Sequence, residues 1–380
     1  MSNLKRAGVV LVAATAILLY GCSTTGGESG MSGQSSPIDL RVASGQSDPI
    51  VELATEVAGL LPSDEAGAAI AWIADGEVTI AFIGNEQFGE ETLFEFGSIT
   101  KVITANVAAQ LVQEGLLDLN ATVPSYLPDA GLGDEWQATT VRNLLTHTAG
   151  IASLPPNMGP IRLFLRGNVR TPFDGMDTER MLSGARRARV GDVGESWNYS
   201  NLGYALVGEI MHQVSGQSYR ELVEQRVFGP LQMDGAGIDE WSSSDIAVPL
   251  NKRGRPARHW TLNAFAPAGA TRGSILDAVR FLQASLEACS NSDPASTANC
   301  MAQQDSGVKV TDSSQMGLGW MRTRGDDGLA IWHNGGTGGF STFLGFNADR
   351  STGLVVLCNV GWVAGDLTGY ALSALASASM

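Results

Sequence analysis

Phe94-Glu95-Phe96-Gly97-Ser98-Ile99-Thr100-Lys101 runs on into an apolar-periodic segment, Val102, Ile103, Val107, Ala108 and Leu111, that stops near Gly115. This is the pattern of a loop feeding a helix. It places Ser98 and Lys101 three positions apart on the first turn, where side chains at that spacing share a face. A serine hydroxyl is a poor nucleophile until a base takes its proton, and a neighbouring amine can be that base once it is neutral. The positive end of the helix macrodipole and dehydration of the site both favour the neutral amine. Gly97 permits close backbone approach and leaves room for a substrate. Taken alone, the pair also fits a solvated N-cap serine followed by a surface lysine, so the partners elsewhere in the chain decide.

Two later stretches supply such partners. Tyr199-Ser200-Asn201 opens a helical pattern over residues 202–214 closed by Ser215-Gly216; its phenol can exchange a proton and its amide can orient a carbonyl. Singly, Tyr199 also fits a buried aromatic with a bonded hydroxyl, and Asn201 a helix cap. His333-Asn334-Gly335-Gly336-Thr337 stands at the end of an apolar strand, where glycines let a substrate lie against the strand edge and offer backbone N–H groups. In this order, the three stretches resemble the three motifs of the serine β-lactamase and penicillin-binding-protein superfamily, of which Ser-x-x-Lys is the first. The tyrosine form of the second motif is similar to the class C branch, with its D-alanyl-D-alanine peptidase and esterase relatives. Leu144-Leu145-Thr146-His147-Thr148-Ala149-Gly150 and Met316-Gly317-Leu318-Gly319-Trp320 agree, and the likeness runs from about Ile50 to the C-terminus.

The resemblance implies an acyl-enzyme at Ser98, with Lys101 and Tyr199 sharing the proton work and no cofactor. It further implies an oxyanion hole from the N–H groups of Ser98 and Gly336, with Asn201, His333, Gly335 and Gly336 on the substrate. Class C enzymes carry a lysine where this chain has His333, and an unperturbed histidine is largely neutral at pH 7. The implied substrate is a β-lactam, D-alanyl peptide or related amide derived from peptidoglycan; the alternatives are an esterase on the same scaffold or an inactive homologue that binds cell-wall peptides. No Gly-x-Ser-x-Gly occurs, which speaks against an α/β-hydrolase. His147, in a helix-ending turn, is read as satisfying local backbone groups rather than as catalytic.

The rest of the chain predicts an α/β (α+β) fold: a mainly antiparallel sheet flanked by helices, built from both chain ends, around an inserted, mostly helical region. The sheet layer is expected from about residues 50–95 and 316–380, and the helical region over about 96–315. A helix is predicted at 50–61, then a hairpin, 68–74 and 78–83, about Asp75-Gly76. Ser218 and Glu221 predict a capping box for a helix running to about Val227. Strands are predicted at 318–322, 330–332, 340–346 and 353–359, with a final helix over 366–376.

A formal charge of −15 argues against nucleic acid or an anionic membrane surface as a partner, since phosphate recognition needs clustered lysine and arginine. Lys5 and Arg6, an apolar run over residues 7–20 and then Gly21-Cys22 follow the secretory plan, in a run too short for an ordinary membrane span. Leu19-Tyr20-Gly21-Cys22 resembles a bacterial lipoprotein cleavage site, with residues 1–21 removed and Cys22 lipidated; a plain signal peptide is the alternative. Residues 22–49 read as a flexible Gly/Ser-rich tether. The expectation is a lipoprotein facing the periplasm, on the outer membrane if the organism is Gram-negative. Cys289 and Cys300 flank a polar stretch and could close a disulfide in an oxidising compartment, whereas Cys358 reads as buried. His147, His212, His259 and His333 lie far apart and no cysteine shows ligand spacing, so no metal site is expected.

Overall fold

The computed structural model describes residues 40–42, 48–84, 88–158, 171–239, 246–305 and 307–377; Cys22 and the signal segment lie outside them. The first organising element is the hairpin of β2 (Ala68–Ala74) and β3 (Glu77–Ile83). Asp75 and Gly76 both take positive φ, 52° and 80°, the backbone that a tight antiparallel connection with right-handed twist requires.

This hairpin joins strands from the far end of the chain. Numbering β1 (Leu40–Val42), β7 (Val308–Lys309), β8 (Ser314–Met316), β9 (Met321–Gly325), β10 (Gly328–Gly336), β11 (Ser341–Asn347) and β12 (Thr352–Cys358), the sheet order is β1-β3-β2-β12-β11-β10-β9-β8-β7. All its strand pairs are antiparallel. The two chain ends meet where β2 pairs β12, with Ala71 opposite Val355. Successive side chains on these strands alternate between two cores. Ala69, Ala71, Val355 and Leu357 face the helical region; Ile70, Trp72, Leu354 and Val356 pack with residues of the Asp48–Ala58 and Ala364–Ser377 helices, such as Leu53 and Leu367. Burial on both faces explains why these strands read as continuous apolar runs.

Four expectations shift. Leu40–Val42 lies inside the stretch expected to be a tether, yet its backbone pairs with β3, Arg41 opposite Phe82, so the sheet starts earlier than about residue 50. The strand expected at 318–322 begins only at Met321, because Gly319 takes φ 76° and its Cα passes so close to the helix below that a Cβ there would lie 2.8 Å from Lys101 O. The region expected to be helical contributes two strands, β5 (Gly237–Ile238) and β6 (Thr271–Gly273), to a small sheet completed by β4 (Phe94–Glu95) just before it, in the order β4-β6-β5. The Ser218–Glu221 capping box is present, but its helix, Tyr219–Val223, gives way to a π-turn over Glu224–Phe228.

Cys289 and Cys300 are joined across a sequence separation of 11, and Cys358 is free and buried. Among the described residues no helix is long and apolar enough to cross a membrane.

Candidate active site

The helix that carries Lys101, Thr100–Gln113, is buried over all of residues 100–111, which places its first turn inside the molecule. A short 3-10 turn, Gly97–Ile99, leads into it and sets Ser98 at the margin, part exposed. This turn docks on β10 and β11: Thr342 Oγ1 donates to Phe96 O at 2.8 Å, and Gly97 takes φ 55° with its Cα so near β10 that a Cβ would lie 2.6 Å from Gly336 N. The residue before Ser98 is thereby packed against the Gly336 backbone. Strand β9 stops pairing with β10 at Trp332, opposite Met321, so residues 333–336 pair only with β11 and Gly336 is exposed. The third motif is thus an open strand edge beside Ser98, formed by the last residues of β10 as the sequence placed it.

Lys101 has no solvent exposure. Its Nζ lies 3.0 Å from Ser98 Oγ, 2.8 Å from Asn201 Oδ1 and 2.6 Å from Ala268 O, and sits over the Tyr199 ring at 4.8 Å from its centroid. Burial holds the amine well below its ordinary value of 10.5, because a charge removed from water without an anionic partner is costly. Tyr199 donates its phenolic proton to Ser98 Oγ at 2.6 Å; burial drives its ionisation well upward despite that bond, which keeps the phenol protonated. Asn201 opens the Asn201–Ser215 helix, and both its polar atoms are engaged by the protein, Oδ1 with Lys101 and Nδ2 with Ser153 Oγ at 3.1 Å.

His333 is 3% exposed, with its Nδ1 2.6 Å from Asn334 O. Burial, and secondarily the nearby Lys101, push it down to about 3, so it is neutral at pH 7 and offers no cation to a carboxylate. The sequence gives no sign of the Ala268 carbonyl, a backbone atom on the short Ala266–Gly269 helix. It also assigns His147 only a local role, whereas the ring lies 4.4 Å from that of Tyr199, centroid to centroid.

Gly97→Ala tests the docking of the serine turn. The added methyl meets Gly336 N in a backbone conformation that L side chains rarely adopt, so the serine turn must shift away from β10. A displacement near 1 Å at reacting groups costs about 100-fold in rate. The expected result is a loss of that order in turnover of an activated ester, read by stopped-flow absorbance.

An antiparallel sheet with helical layers, carrying a buried lysine and a tyrosine on one serine hydroxyl beside an open strand edge, defines a class of serine hydrolases that rely on lysine rather than histidine. The Beta-lactamase family profile matches residues 59–369, and the chain belongs to this family. It is 27% identical over 266 residues to a beta-lactamase of Pseudomonas fluorescens, covering 68% of this chain and 69% of that one. It is 28% identical over 310 residues to penicillin-binding protein 4 of Amycolatopsis lactamdurans, covering 73% and 76%. A match to Protein flp of Staphylococcus aureus, 26% identical over 71% of this chain, spans 53% of that relative. Among solved structures, a beta-lactamase/D-alanine carboxypeptidase from Pseudomonas syringae superposes with TM-score 0.74 at 20% identity, over 88% of this chain and all of that one. A D-alanine carboxypeptidase from Burkholderia cenocepacia gives 0.71 at 22% identity, over 87% and 99%. At these identities the structural likeness is one of fold.

Proposed function

We propose that the protein is an exported serine hydrolase that forms an acyl-enzyme at Ser98. The observation that carries this reading is the placement of Ser98 Oγ between Lys101 Nζ and Tyr199 Oη, at 3.0 and 2.6 Å. A neutral amine has two hydrogens, and the Asn201 and Ala268 oxygens accept both; its lone pair then faces the serine hydroxyl and takes that proton as Oγ attacks a carbonyl carbon. The N–H groups of Ser98 and Gly336 receive the developing oxyanion, at about 3 kcal/mol per donor. Tyr199, protonated at rest, passes its proton to the leaving atom, and the Lys101 ammonium restores it. Water attack on the ester releases the acyl group by the reverse transfers.

The named relatives support a β-lactam, a D-alanyl peptide or a related amide as substrate. The neutral, buried His333 favours a second reading, an esterase acting on acyl groups that carry no carboxylate. The two separate when the protein is incubated with benzylpenicillin, a D-alanyl-D-alanine peptide and a nitrophenyl ester, with turnover and intact mass followed. A penicillin adduct or release of D-alanine is the expected result; ester turnover without any penicillin adduct moves the assignment to the esterase, and silence toward all three leaves a binding homologue.

The same proposal places the enzyme on the periplasmic face of a membrane, held by lipid on Cys22, supported by the Leu19-Tyr20-Gly21-Cys22 sequence. Labelling with a palmitate analogue in cells should mark the unaltered protein and not Cys22→Ser; equal labelling of both would remove the anchor.

A further inference from the structure

His147 is 1% exposed and takes φ 59°, a conformation that costs a non-glycine residue energy unless its surroundings fix it. Its contacts converge on the segment carrying Tyr199. The carbonyl oxygen of His147 accepts the Asn198 N–H at 2.7 Å, and its ring Nδ1 accepts the Ser200 N–H at 3.1 Å. The residues before and after the tyrosine are thus both fastened to this one histidine, by its backbone and by its ring. The imidazole meets the Tyr199 ring at 4.4 Å and 41°, with Tyr204 at 5.2 Å behind. Tyr204 is itself held by donation to Leu145 O at 2.9 Å. Because Nδ1 accepts, the ring proton of the neutral tautomer sits on Nε2, and Nε2 has no hydrogen-bond partner. The ring's single hydrogen bond reaches 53 positions along the chain to the backbone N–H of the residue after Tyr199.

We propose that His147 is a positioning residue for the reaction: it clamps residues 198 and 200 and backs the Tyr199 ring, holding the phenol on Ser98 Oγ. The inference rests on the reading of Tyr199 as the proton donor in acyl transfer. Without the clamp the phenol can tilt away from the serine, and a displacement of about 1 Å there costs about 100-fold. Binding of the acyl donor along β10 does not involve this contact, so the loss falls on kcat.

The test uses the full-length protein with nitrophenyl acetate turnover and acylation by a fluorescent penicillin, with thermal melting to confirm folding. His147→Gly accepts the positive φ and removes the ring with its Nδ1 acceptor while keeping the carbonyl that receives the Asn198 N–H, and His147→Asn tolerates that backbone and keeps a side-chain oxygen able to receive the Ser200 N–H. His147→Gly should lower kcat about 100-fold with KM changed by less than about threefold. His147→Asn should recover at least about tenfold of that loss, and in a Tyr199→Phe background His147→Gly should add less than about twofold, as expected for groups acting as one unit. The inference is overturned if a folded His147→Gly keeps kcat within about threefold, if the two losses multiply, or if asparagine recovers nothing. Turnover of nitrophenyl acetate by the unaltered protein but not by Ser98→Ala verifies the reading underneath whether or not penicillin acylates; equal turnover by the two removes that reading, whereas its loss in Ser98→Ala with an unaffected His147→Gly removes only the positioning role.

Discussion

Ser98→Ala is expected to abolish the covalent acyl adduct and to lower kcat/KM by about 10⁴-fold or more, the scale seen when the nucleophile of a serine hydrolase is removed. The change deletes one oxygen at a part-exposed site. Lys101 keeps Asn201 Oδ1 and Ala268 O as acceptors, so the buried amine is not left unpaired. Tyr199 loses its acceptor, a net effect of about 1 kcal/mol. Stability should therefore hardly move while chemistry is lost, and intact mass after incubation with a penicillin or an activated ester reads the two apart from a melting curve. An adduct of unchanged yield on the alanine variant would place the nucleophile elsewhere, and residual turnover near the wild-type rate would mean that water is activated without a covalent step.

The parts of this site that could be read from sequence are those for which residue identity and local spacing carry the chemistry. Ser98 and Lys101 are three apart on one helical turn, and the structure brings them within 3.0 Å. Tyr199 and Asn201 flank a helix start whose N-cap, Ser200, accepts from Gly203 N, so their local geometry also follows from the sequence. The joining of these elements does not, because it depends on contacts between distant parts of the chain: Ala268 O reaches Lys101 across 167 positions and Tyr199 reaches Ser98 across 101. The fold divides in the same way. The Asp75-Gly76 turn is local and legible, and the helix capped by Ser218–Glu221 starts where the capping box says. Leu318 is apolar and follows a glycine, as a strand start would, but it packs in the large core facing the helices, and the requirement of close approach to Lys101 at Gly319 overrides its strand propensity. Environment likewise decides His333. A histidine in the third motif is neutral at pH 7 on ordinary grounds, and burial extends that neutrality to about pH 3, a consequence no sequence pattern contains.

Lys101→Met carries the second large expectation, and it links the mechanism to stability. Losing the base should slow acylation by about 10²- to 10⁴-fold, the usual contribution of a positioned general base. In the unaltered enzyme the reactive form has a neutral amine. Because burial holds the folded-state value well below 10.5, the acylation rate should rise with pH and level off far short of that value; the methionine variant should lack this limb. The same shift has a sign in folding. In the unfolded chain the amine stays protonated up to about 10.5, while in the folded protein it has already lost its proton at lower pH. The unfolded state therefore binds the extra proton between the depressed value and 10.5, and stability rises with pH across that window, at about 1.4 kcal/mol per pH unit for one proton. Urea unfolding of both proteins over this range isolates the effect, since all other titrating groups are shared. Wild type should gain stability relative to Lys101→Met as pH rises, with the gain ending near 10.5. Parallel pH–stability curves would mean that the lysine stays charged in the fold and cannot be the resting base, which would shift that role to Tyr199 and require its phenol to ionise against the burial that now keeps it protonated.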